Sequence, residues 1–202
     1  MPHPIQCSCG SLRGTVDCSD GVNRCVCYCA DCQAFARFLQ RESEILDAAG
    51  GTDIMQTAPE NMTFVAGLEH LACMRLTPDG LLRWYAACCN TPVGNTPPRF
   101  KIPFVGLIHT FVNPGGGSLD DRFGPVRMRV HPRHARGAEK PRSMGRWMGL
   151  SAGVLRLASM ILRARFTGGY RRTPFFDPAT GAPVVVPKVL GPEELGALKA
   201  RG

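Results

Sequence analysis

The chain has 202 residues, of which 44% are hydrophobic and 20% charged, and this composition excludes a disordered, fibrous or membrane-spanning class. The formal net charge is +8, but residues 1–121 carry 8 basic and 12 acidic residues, whereas residues 122–202 carry 16 and 4. All 10 cysteines precede residue 90. We therefore expect a cysteine-rich first part and a strongly basic second part.

The first half of the chain has a pattern typical of strands and turns. Residues 34–49 are an exception with helical periodicity, which Gly50 and Gly51 would end. The sequence TPDG at residues 77–80 has turn chemistry and separates two β-like runs, so it predicts a hairpin. Strands are expected at 62–67, 71–76, 81–87 and 101–112.

The second part of the chain follows a cluster of residues that break regular structure. Residues 113–125, NPGGGSLDDRFGP, predict a linking loop. A helix is predicted at about 144–165, and it would be amphipathic. Its apolar stripe is Trp147, Leu150, Val154, Leu157 and Ile161. We expect the stripe to pack against the β domain, with a membrane-surface helix as the alternative. A short hairpin at 175–186 and a helix at 192–200 complete the predicted elements.

The thiols are expected to be reduced. The opening residues, MPHPIQCSCG, have neither the basic region nor the apolar region of a secretory signal, so we expect a cytoplasmic protein in which disulfides are disfavoured. Metal ligation is the interpretation that the number and spacing of the cysteines favour. Buried structural thiols and a redox or metal-sensing role are the alternatives.

One run of cysteines has the spacing of metal ligands. Alternate residues of a strand point to the same side, so Cys25, Cys27 and Cys29 form a row, and the turn of Cys29-x-x-Cys32 brings in a further sulfur. Zinc suits such thiolates. Four of them close a structural site, and three leave one position open, as catalytic zinc requires.

Other cysteines pair across the chain. Cys7 and Cys9 share one face of a strand, and Cys88 and Cys89 follow much later in the sequence. Adjacent residues of a strand point to opposite sides, so Cys88 and Cys89 can bind one metal only if the backbone turns sharply there. A metal bound by both pairs would tie two chain segments together and contribute to folding.

In combination, these motifs resemble a known zinc family. The CSCG sequence at residues 7–10, CVCYCADC at 25–32 and LLRWYAACCNTPVGN at 81–95 occur in the order seen in the glutathione-dependent formaldehyde-activating enzyme (GFA) family, which centromere protein V also represents. The resemblance covers residues 5–112. It implies a mainly β fold, with a zinc-bound β-tent domain over residues 1–112. The linking loop at 113–125 and a smaller, partly helical basic extension over 126–202 would follow.

The resemblance also implies two metal sites, and thus one or two zinc ions. The first would be structural and bound by Cys7, Cys9, Cys88 and Cys89. Cys88 would replace a family cysteine that aligns with Ala86, and a family glycine aligns with Asn90. Without Cys88 the site would have three protein thiolates, or another ligand such as His or water. The second would be catalytic and bound by Cys27, Cys29 and Cys32. Cys25 would then be an extra thiol beside that site.

The implied function is carbon–sulfur chemistry of the lyase type. Zinc bound by three thiolates is a poor Lewis acid for making hydroxide and is better suited to holding an incoming thiol as a nucleophilic thiolate. We expect a small thiol/aldehyde adduct as the substrate and glutathione as the thiol co-substrate. The alternative is a non-enzymatic, zinc-stabilised module. Its basic C-terminal half would bind an anionic partner, either nucleic acid or an anionic membrane surface.

The remaining candidate groups have simpler interpretations. His109 lies in an apolar run and is expected to be a core histidine rather than a catalytic base. His131 and His134 lie in the basic stretch and are expected to be solvated. Cys18 and Cys73 are isolated in the sequence and are expected to be buried thiols.

Overall fold

A computed structural model describes residues 2–19, 22–112, 116–137 and 149–200, with the backbone alone for residues 149–151. Within this part of the chain the protein is mostly β, with one large sheet, one small sheet and six helices. The strands are β1 (His3–Gln6), β2 (Arg13–Val16), β3 (Asn23–Cys27), β4 (Thr52–Thr57), β5 (Met62–Ala66), β6 (Leu71–Arg75), β7 (Leu82–Ala86), β8 (Thr91–Thr96), β9 (Val105–Ile108), β10 (Met128–Val130) and β11 (Lys188–Val189). The helices are α1 (Ala30–Phe38), α2 (Glu42–Ile45), α3 (His109–Val112), α4 (Leu119–Phe123), α5 (Gly149–Phe166) and α6 (Pro192–Ala200).

The large sheet has eight strands in the order β10-β3-β4-β9-β8-β7-β6-β11, and the small sheet has three in the order β1-β2-β5. The inner pairs are antiparallel, whereas β10 runs parallel to β3 and β11 runs parallel to β6 at the two edges. Both edge strands come from residues after 125. The C-terminal part of the chain therefore completes the large sheet, and the division into a β domain, a loop and an extension stays a prediction.

The main core lies between the two sheets. Ile5 of the small sheet and Trp84 and Leu107 of the large sheet belong to one cluster of buried apolar residues. Trp84 is fully buried, and its indole N–H donates to the hydroxyl of Thr96 at 2.9 Å. Phe175 also enters this core, with its ring centroid 4.9 Å from that of Trp84. Residues of the C-terminal part thus contribute to the core as well as to the sheet edges.

A second cluster covers the opposite face of the large sheet. Phe35 of α1 packs there with Met74 and Ile108 of the sheet and with Leu190, and α6 lies against α1. The guanidinium of Arg37 in α1 donates to the carbonyl oxygen of Leu198 in α6 at 2.6 Å. This layer fixes α1, whose N-terminus carries two of the cysteines.

Several sequence-based elements are confirmed. The hairpin around residues 77–80 is formed by β6 and β7, with Leu71 opposite Ala86. The strand predicted at 62–67 and the helix predicted at 192–200 correspond to β5 and α6. The hairpin predicted at 175–186 has a single bridge, between Phe176 and Pro183, so it is a tight turn rather than a ladder.

Two predicted elements have different boundaries in the structure. The helix predicted at 34–49 is divided into α1 and α2, because Gln40 adopts a left-handed conformation (φ 57°) that no helix continues through. It also begins earlier, at Ala30, since Cys29 caps its N-terminus. The strand predicted at 101–112 ends at Ile108, and His109 begins α3.

Helix α5 packs with a face that only partly matches the predicted stripe, of which Leu157 and Ile161 are half-buried. Residues 144–148 of the predicted helix, including Trp147, lie outside the described residues. The side chain of Val154 is 48% exposed, whereas Gly153 and Ala164 face the protein. A Cβ at Gly153 would lie 2.3 Å from the sulfur of Met128, so this glycine lets α5 approach β10 closely. None of the helices in the described residues has the length and apolar character needed to cross a membrane.

Candidate metal centres

Four thiols converge where the two sheets meet. The sulfur atoms of this four-cysteine group all lie within 4.8 Å of one another. Its members are Cys7, Cys9, Cys88 and Cys89. The first pair lies between β1 and β2 of the small sheet, and the second pair lies between β7 and β8 of the large sheet. A metal bound here would cross-link the two sheets.

The sulfur positions fit a tetrahedral ion. The Sγ–Sγ distances are 3.5 Å from Cys7 to Cys9, 3.3 Å from Cys9 to Cys88 and 3.8 Å from both Cys7 and Cys89 to Cys88. A zinc ion with sulfur ligands at about 2.3 Å would set its tetrahedral edges at about 3.8 Å. The group therefore has the size of a four-thiolate zinc site without large backbone movement.

Each pair is carried by a turn that ends in a left-handed residue. After Cys9 this residue is Gly10 (φ 76°), and its N–H donates to the carbonyl oxygen of Cys7 at 2.9 Å. After Cys89 it is Asn90 (φ 54°), which tolerates this conformation better than most residues with a Cβ. The sharp turn that Cys88 and Cys89 require is therefore present, which the sequence left open.

Hydrogen bonds hold the four-cysteine group in place. The N–H of Leu12 donates to the sulfur of Cys7 at 3.3 Å, and the N–H of Ser8 donates to the hydroxyl of Thr91 at 3.0 Å. The guanidinium of Arg41 donates to the carbonyl oxygen of Cys89 at 2.8 Å. Arg41 thus places a positive charge beside sulfurs that become negative when they bind a metal.

The four thiols differ in acidity. Burial raises the pKa of Cys7, and burial with hydrogen bonds to Cys9 and Cys89 raises that of Cys88. Hydrogen bonding with Ser11 lowers the pKa of Cys9. For Cys89, burial acts to raise the pKa, but hydrogen bonds from Ser8 and Thr91 outweigh it and lower the pKa to about 5. Metal binding would then displace the protons that remain on the other thiols.

Three further thiols converge at the start of α1. The sulfurs of this three-cysteine group, Cys27, Cys29 and Cys32, also lie within 4.8 Å of one another. Cys27 ends β3, and Cys29 is the N-cap of α1, where its sulfur accepts a hydrogen bond from the N–H of Cys32 at 3.3 Å. Cys27 and Cys32 are buried, whereas Cys29 is partly exposed. In the described residues no His, Cys, Asp or Glu adds a fourth ligand to this group.

One sulfur of the three-cysteine group is strongly favoured as a thiolate. Hydrogen bonds from Cys27 and Cys32 lower the pKa of Cys29 to about 2. Hydrogen bonds with Cys29 and Cys32, together with burial, raise the pKa of Cys27. The hydrogen bond with Cys27 and the positive charge of Arg83 act to lower the pKa of Cys32, but the hydrogen bond with Cys29 and burial outweigh them and raise this pKa to about 11; the charge of Arg83 also lowers the pKa of Cys29. The group is therefore prepared to bind a cation.

Two residues next to the three-cysteine group were not found by sequence analysis. Thr52 of β4 is directly opposite Cys27 of β3. Arg83 is buried in β7, with its guanidinium 5.4 Å from the ring centroid of Phe35 in α1. Arg83 could have been noticed in the sequence, because it is a charged residue inside the apolar run LLRWYAA. Thr52 could not, because threonine is an ordinary residue of a strand.

The other cysteines and the histidines lie outside both groups. Cys25 is buried in the middle of β3, and burial raises its pKa to about 12. Cys73 is buried in the main core, as predicted, whereas Cys18 is only partly buried against it. His109 is half-buried, and its Nε2 lies 3.2 Å from the carbonyl oxygen of Glu44. The exposed side chains of the remaining two, His131 and His134, agree with the prediction that they are solvated.

Comparisons with known proteins give a family without an assigned activity. A family model described as "Family of unknown function (DUF6151)" matches residues 2–184. The chain is also similar to a solved structure titled as the crystal structure of a Rhodobacter sphaeroides protein, with 18% identity over 59% of this chain and 94% of that one and a TM-score of 0.38. No curated protein matches the chain. The resemblance to the GFA family remains a hypothesis.

Proposed function

The chain belongs to the DUF6151 family of unknown function, and from that premise we propose that it is a cytoplasmic zinc protein of carbon–sulfur chemistry. The observation that carries the proposal is the combination of a four-cysteine group with a three-cysteine group in one fold. Four thiolates saturate a tetrahedral ion and make a structural site, whereas three leave a position for a ligand from solution. Soft thiolate ligands favour zinc over hard divalent ions such as Mg²⁺ and Ca²⁺, which prefer oxygen ligands.

The open position would bind a small thiol. Zinc there would keep the bound sulfur in the thiolate form at neutral pH. A thiolate held there by Cys27, Cys29 and Cys32 through the metal would be the nucleophile for an aldehyde: a carbon–sulfur bond would form, the carbonyl electron pair would move to oxygen, and that oxygen would take a proton from water. The reverse step breaks the same bond and releases the thiol and the aldehyde, so no oxidant or reductant is needed.

The resemblance to the GFA family supports the same assignment. It implies glutathione as the thiol, a β-tent fold for residues 1–112, and Cys27, Cys29 and Cys32 as the residues that hold the reacting centre. Partial exposure of Cys29 supports access to this centre, because the other two sulfurs are buried.

Metal content and adduct formation test this function. We expect two zinc ions per chain, measured by mass spectrometry on protein purified without a chelator, and exchange between free and thiol-bound formaldehyde, measured by NMR with glutathione. Cys29→Ser should lose one zinc ion and the exchange. Cys18→Ser is the matched control outside both groups, and it should keep both. Protein with no metal and ten titratable thiols would overturn the proposal and favour a redox role.

A second candidate function rests on the outer side of α5. Leu155, Leu162 and Phe166 are 70%, 53% and 85% exposed, and their spacing places them on one line along the helix, here called the outer stripe. Basic residues flank it, with Arg163 on one side and Arg165 on the other. An exposed apolar line between arginines fits the headgroup region of an anionic membrane, in which the helix would lie parallel to the surface.

Vesicle binding tests this candidate. We expect sedimentation with phosphatidylcholine vesicles that contain phosphatidylserine, weakening as salt increases, and loss of binding in the double variant Leu162→Ser, Phe166→Ser. Val65→Ser, which changes an exposed valine of β5, is the control. Binding to DNA with no binding to vesicles would replace the membrane surface by nucleic acid as the partner.

A further inference from the structure

A buried hydroxyl beside the three-cysteine group has no partner. Thr52 is 2% exposed, and its Oγ1 makes no hydrogen bond within the described residues. A buried hydroxyl without a partner is unfavourable, because it has lost its hydrogen bonds to water and gained none in the protein. A ligand, ion or water that is not part of the protein chain can supply the missing hydrogen-bond partner of such a hydroxyl.

The sheet register places Thr52 on the same side of the sheet as one of the three cysteines. Thr52 and Cys27 are paired directly across β4 and β3, and residues so paired point to the same side with Cβ atoms about 5 Å apart. The side chain of Cys27 on that side belongs to the three-cysteine group. The Thr52 side chain therefore lies on the same side of the sheet as the sulfur of Cys27, and its hydroxyl is not hydrogen-bonded to any of the three cysteines.

A buried positive charge lies close to the same group. Arg83 is 3% exposed, and its guanidinium contacts the ring of Phe35 and donates to the side-chain oxygen of Asn95 at 3.3 Å. Phe35 is three residues after Cys32 in α1, so both side chains are neighbours on one face of the helix. Within the described residues Arg83 has no carboxylate partner.

We propose that Thr52 donates a hydrogen bond to the sulfur of a thiol bound at the open position of the three-cysteine group, and that Arg83 is the counter-charge of that thiolate. This inference rests on the proposed function. On binding, the thiol would lose its S–H proton to solvent and its sulfur would keep the electron pair, so that it could act as a ligand. Three thiolates on a divalent ion already give a net negative charge, so a fourth needs a nearby cation.

The assignment of Thr52 is tested with cobalt in place of zinc, because the absorption of thiolate-bound Co²⁺ reports each sulfur. The full chain loaded with Co²⁺ is titrated with 2-mercaptoethanol and followed by the sulfur-to-cobalt charge-transfer band. Thr52→Val should weaken thiol binding about tenfold with unchanged cobalt content, since a hydrogen bond to a charged acceptor is lost. Thr52→Ser keeps the hydroxyl and should bind within about twofold of the original chain.

The control is a threonine of the same strand on its other side. Thr57 is also 2% exposed, and its hydroxyl accepts from the side chain of Asn61 at 3.0 Å. Thr57→Val should lower stability but leave thiol affinity unchanged. If Thr52→Val binds the thiol as the original chain does, or changes only the affinity for cobalt, the hydroxyl serves a cysteine ligand and the inference is overturned.

The role of Arg83 is tested with two ligands of different charge. Arg83→Gln should weaken binding of 2-mercaptoethanol, which binds as an anion, roughly tenfold, and should leave binding of neutral imidazole to the cobalt centre unchanged. Arg83→Lys should restore much of the thiol affinity. Equal losses for both ligands would show a merely structural role and overturn the assignment.

Failure of the proposed function would look different from failure of this inference. If the original chain takes up no cobalt at the three-cysteine group, or its cobalt spectrum does not respond to thiol, both are overturned. If the original chain binds the thiol and the Thr52 and Arg83 variants bind it with the same affinity, the proposed function stands and this inference alone is overturned.

Discussion

The two cysteine groups differ in how much of the fold is needed to assemble them. The four-cysteine group joins turns of two different sheets, so its sulfurs meet only when both sheets are packed. The three-cysteine group is contained in residues 27–32, at the junction of one strand and one helix. The first arrangement couples metal binding to global folding, whereas the second couples it to a local site that leaves one position open.

The largest expected effect is on the four-cysteine group. Cys88→Ser should remove one zinc ion and lower the free energy of unfolding by more than about 4 kcal/mol, because the metal link between the sheets is lost. Thermal unfolding and metal content measure this. The matched control, Cys73→Ala, removes a core thiol outside both groups and should keep two zinc ions.

A smaller effect is expected at the turns that carry these cysteines. Gly10→Ala places a Cβ where no atom lies within 4 Å, so the change tests backbone strain alone. It should cost about 1 kcal/mol of stability, because φ is 76° there. Asn90→Gly should be neutral or slightly stabilising, since glycine adopts φ of 54° freely. Equal effects of the two changes on unfolding would contradict this account of the turns.

Substitutions in the three-cysteine group should lower the stability of the chain only slightly. Cys29→Ser should lose the second zinc ion but change the free energy of unfolding by less than about 1 kcal/mol, because serine preserves the cap of α1. Cys29→Ala removes the cap as well and should cost about 1 kcal/mol more. If Cys29→Ser destabilises the chain as much as Cys88→Ser, the contrast between the two groups is wrong.

The smallest expected effect is on the pH dependence of the metal-free chain. Cys89 has a pKa of about 5 in the folded state against 9.0 for an ordinary thiol, so between these values the unfolded chain binds the additional proton. Stability from Cys89 is therefore present above pH 9.0 and is lost as the pH falls towards about 5. Because this thiol is partly exposed, solvent screening should keep the effect modest. Denaturant titrations with a chelator at several pH values measure it, and Cys89→Ser should have a smaller slope than the original chain, with the remaining slope due to other thiols such as Cys29.

Above pH 9 a separate loss of stability is expected from the buried cysteines. Burial raises the pKa of Cys25 and of Cys73 to about 12, so the unfolded chain loses these protons first and is favoured as the pH rises from 9 to 12. Cys73→Ala should reduce this alkaline slope. An unchanged slope would show that Cys73 does not contribute to it.

Spacing in the sequence marked the cysteines of residues 25–32 as candidate ligands, because spacing on a strand and in a turn is local chemistry, whereas the set of Cys7, Cys9, Cys88 and Cys89 came from the family resemblance. The run at residues 25–32 already contains the three-cysteine group, and the absence of Cys25 from it was expected from the family resemblance. The hairpin of β6 and β7 was also predicted from the sequence, because its turn residues and the β-like runs on either side determine it. The start of α1 was missed because a cysteine is not an expected N-cap.

Only the tertiary structure decided what surrounds these cysteines. It brought Cys88 and Cys89 to Cys7 and Cys9 through the packing of two sheets, which no local pattern encodes. It also placed Thr52 opposite Cys27, and Arg83 over α1, by strand register across distant parts of the chain. Spacing in the sequence determines which residues can bind a metal together. Strand register and packing determine which other groups surround that metal, and therefore which ligand from solution the site can bind.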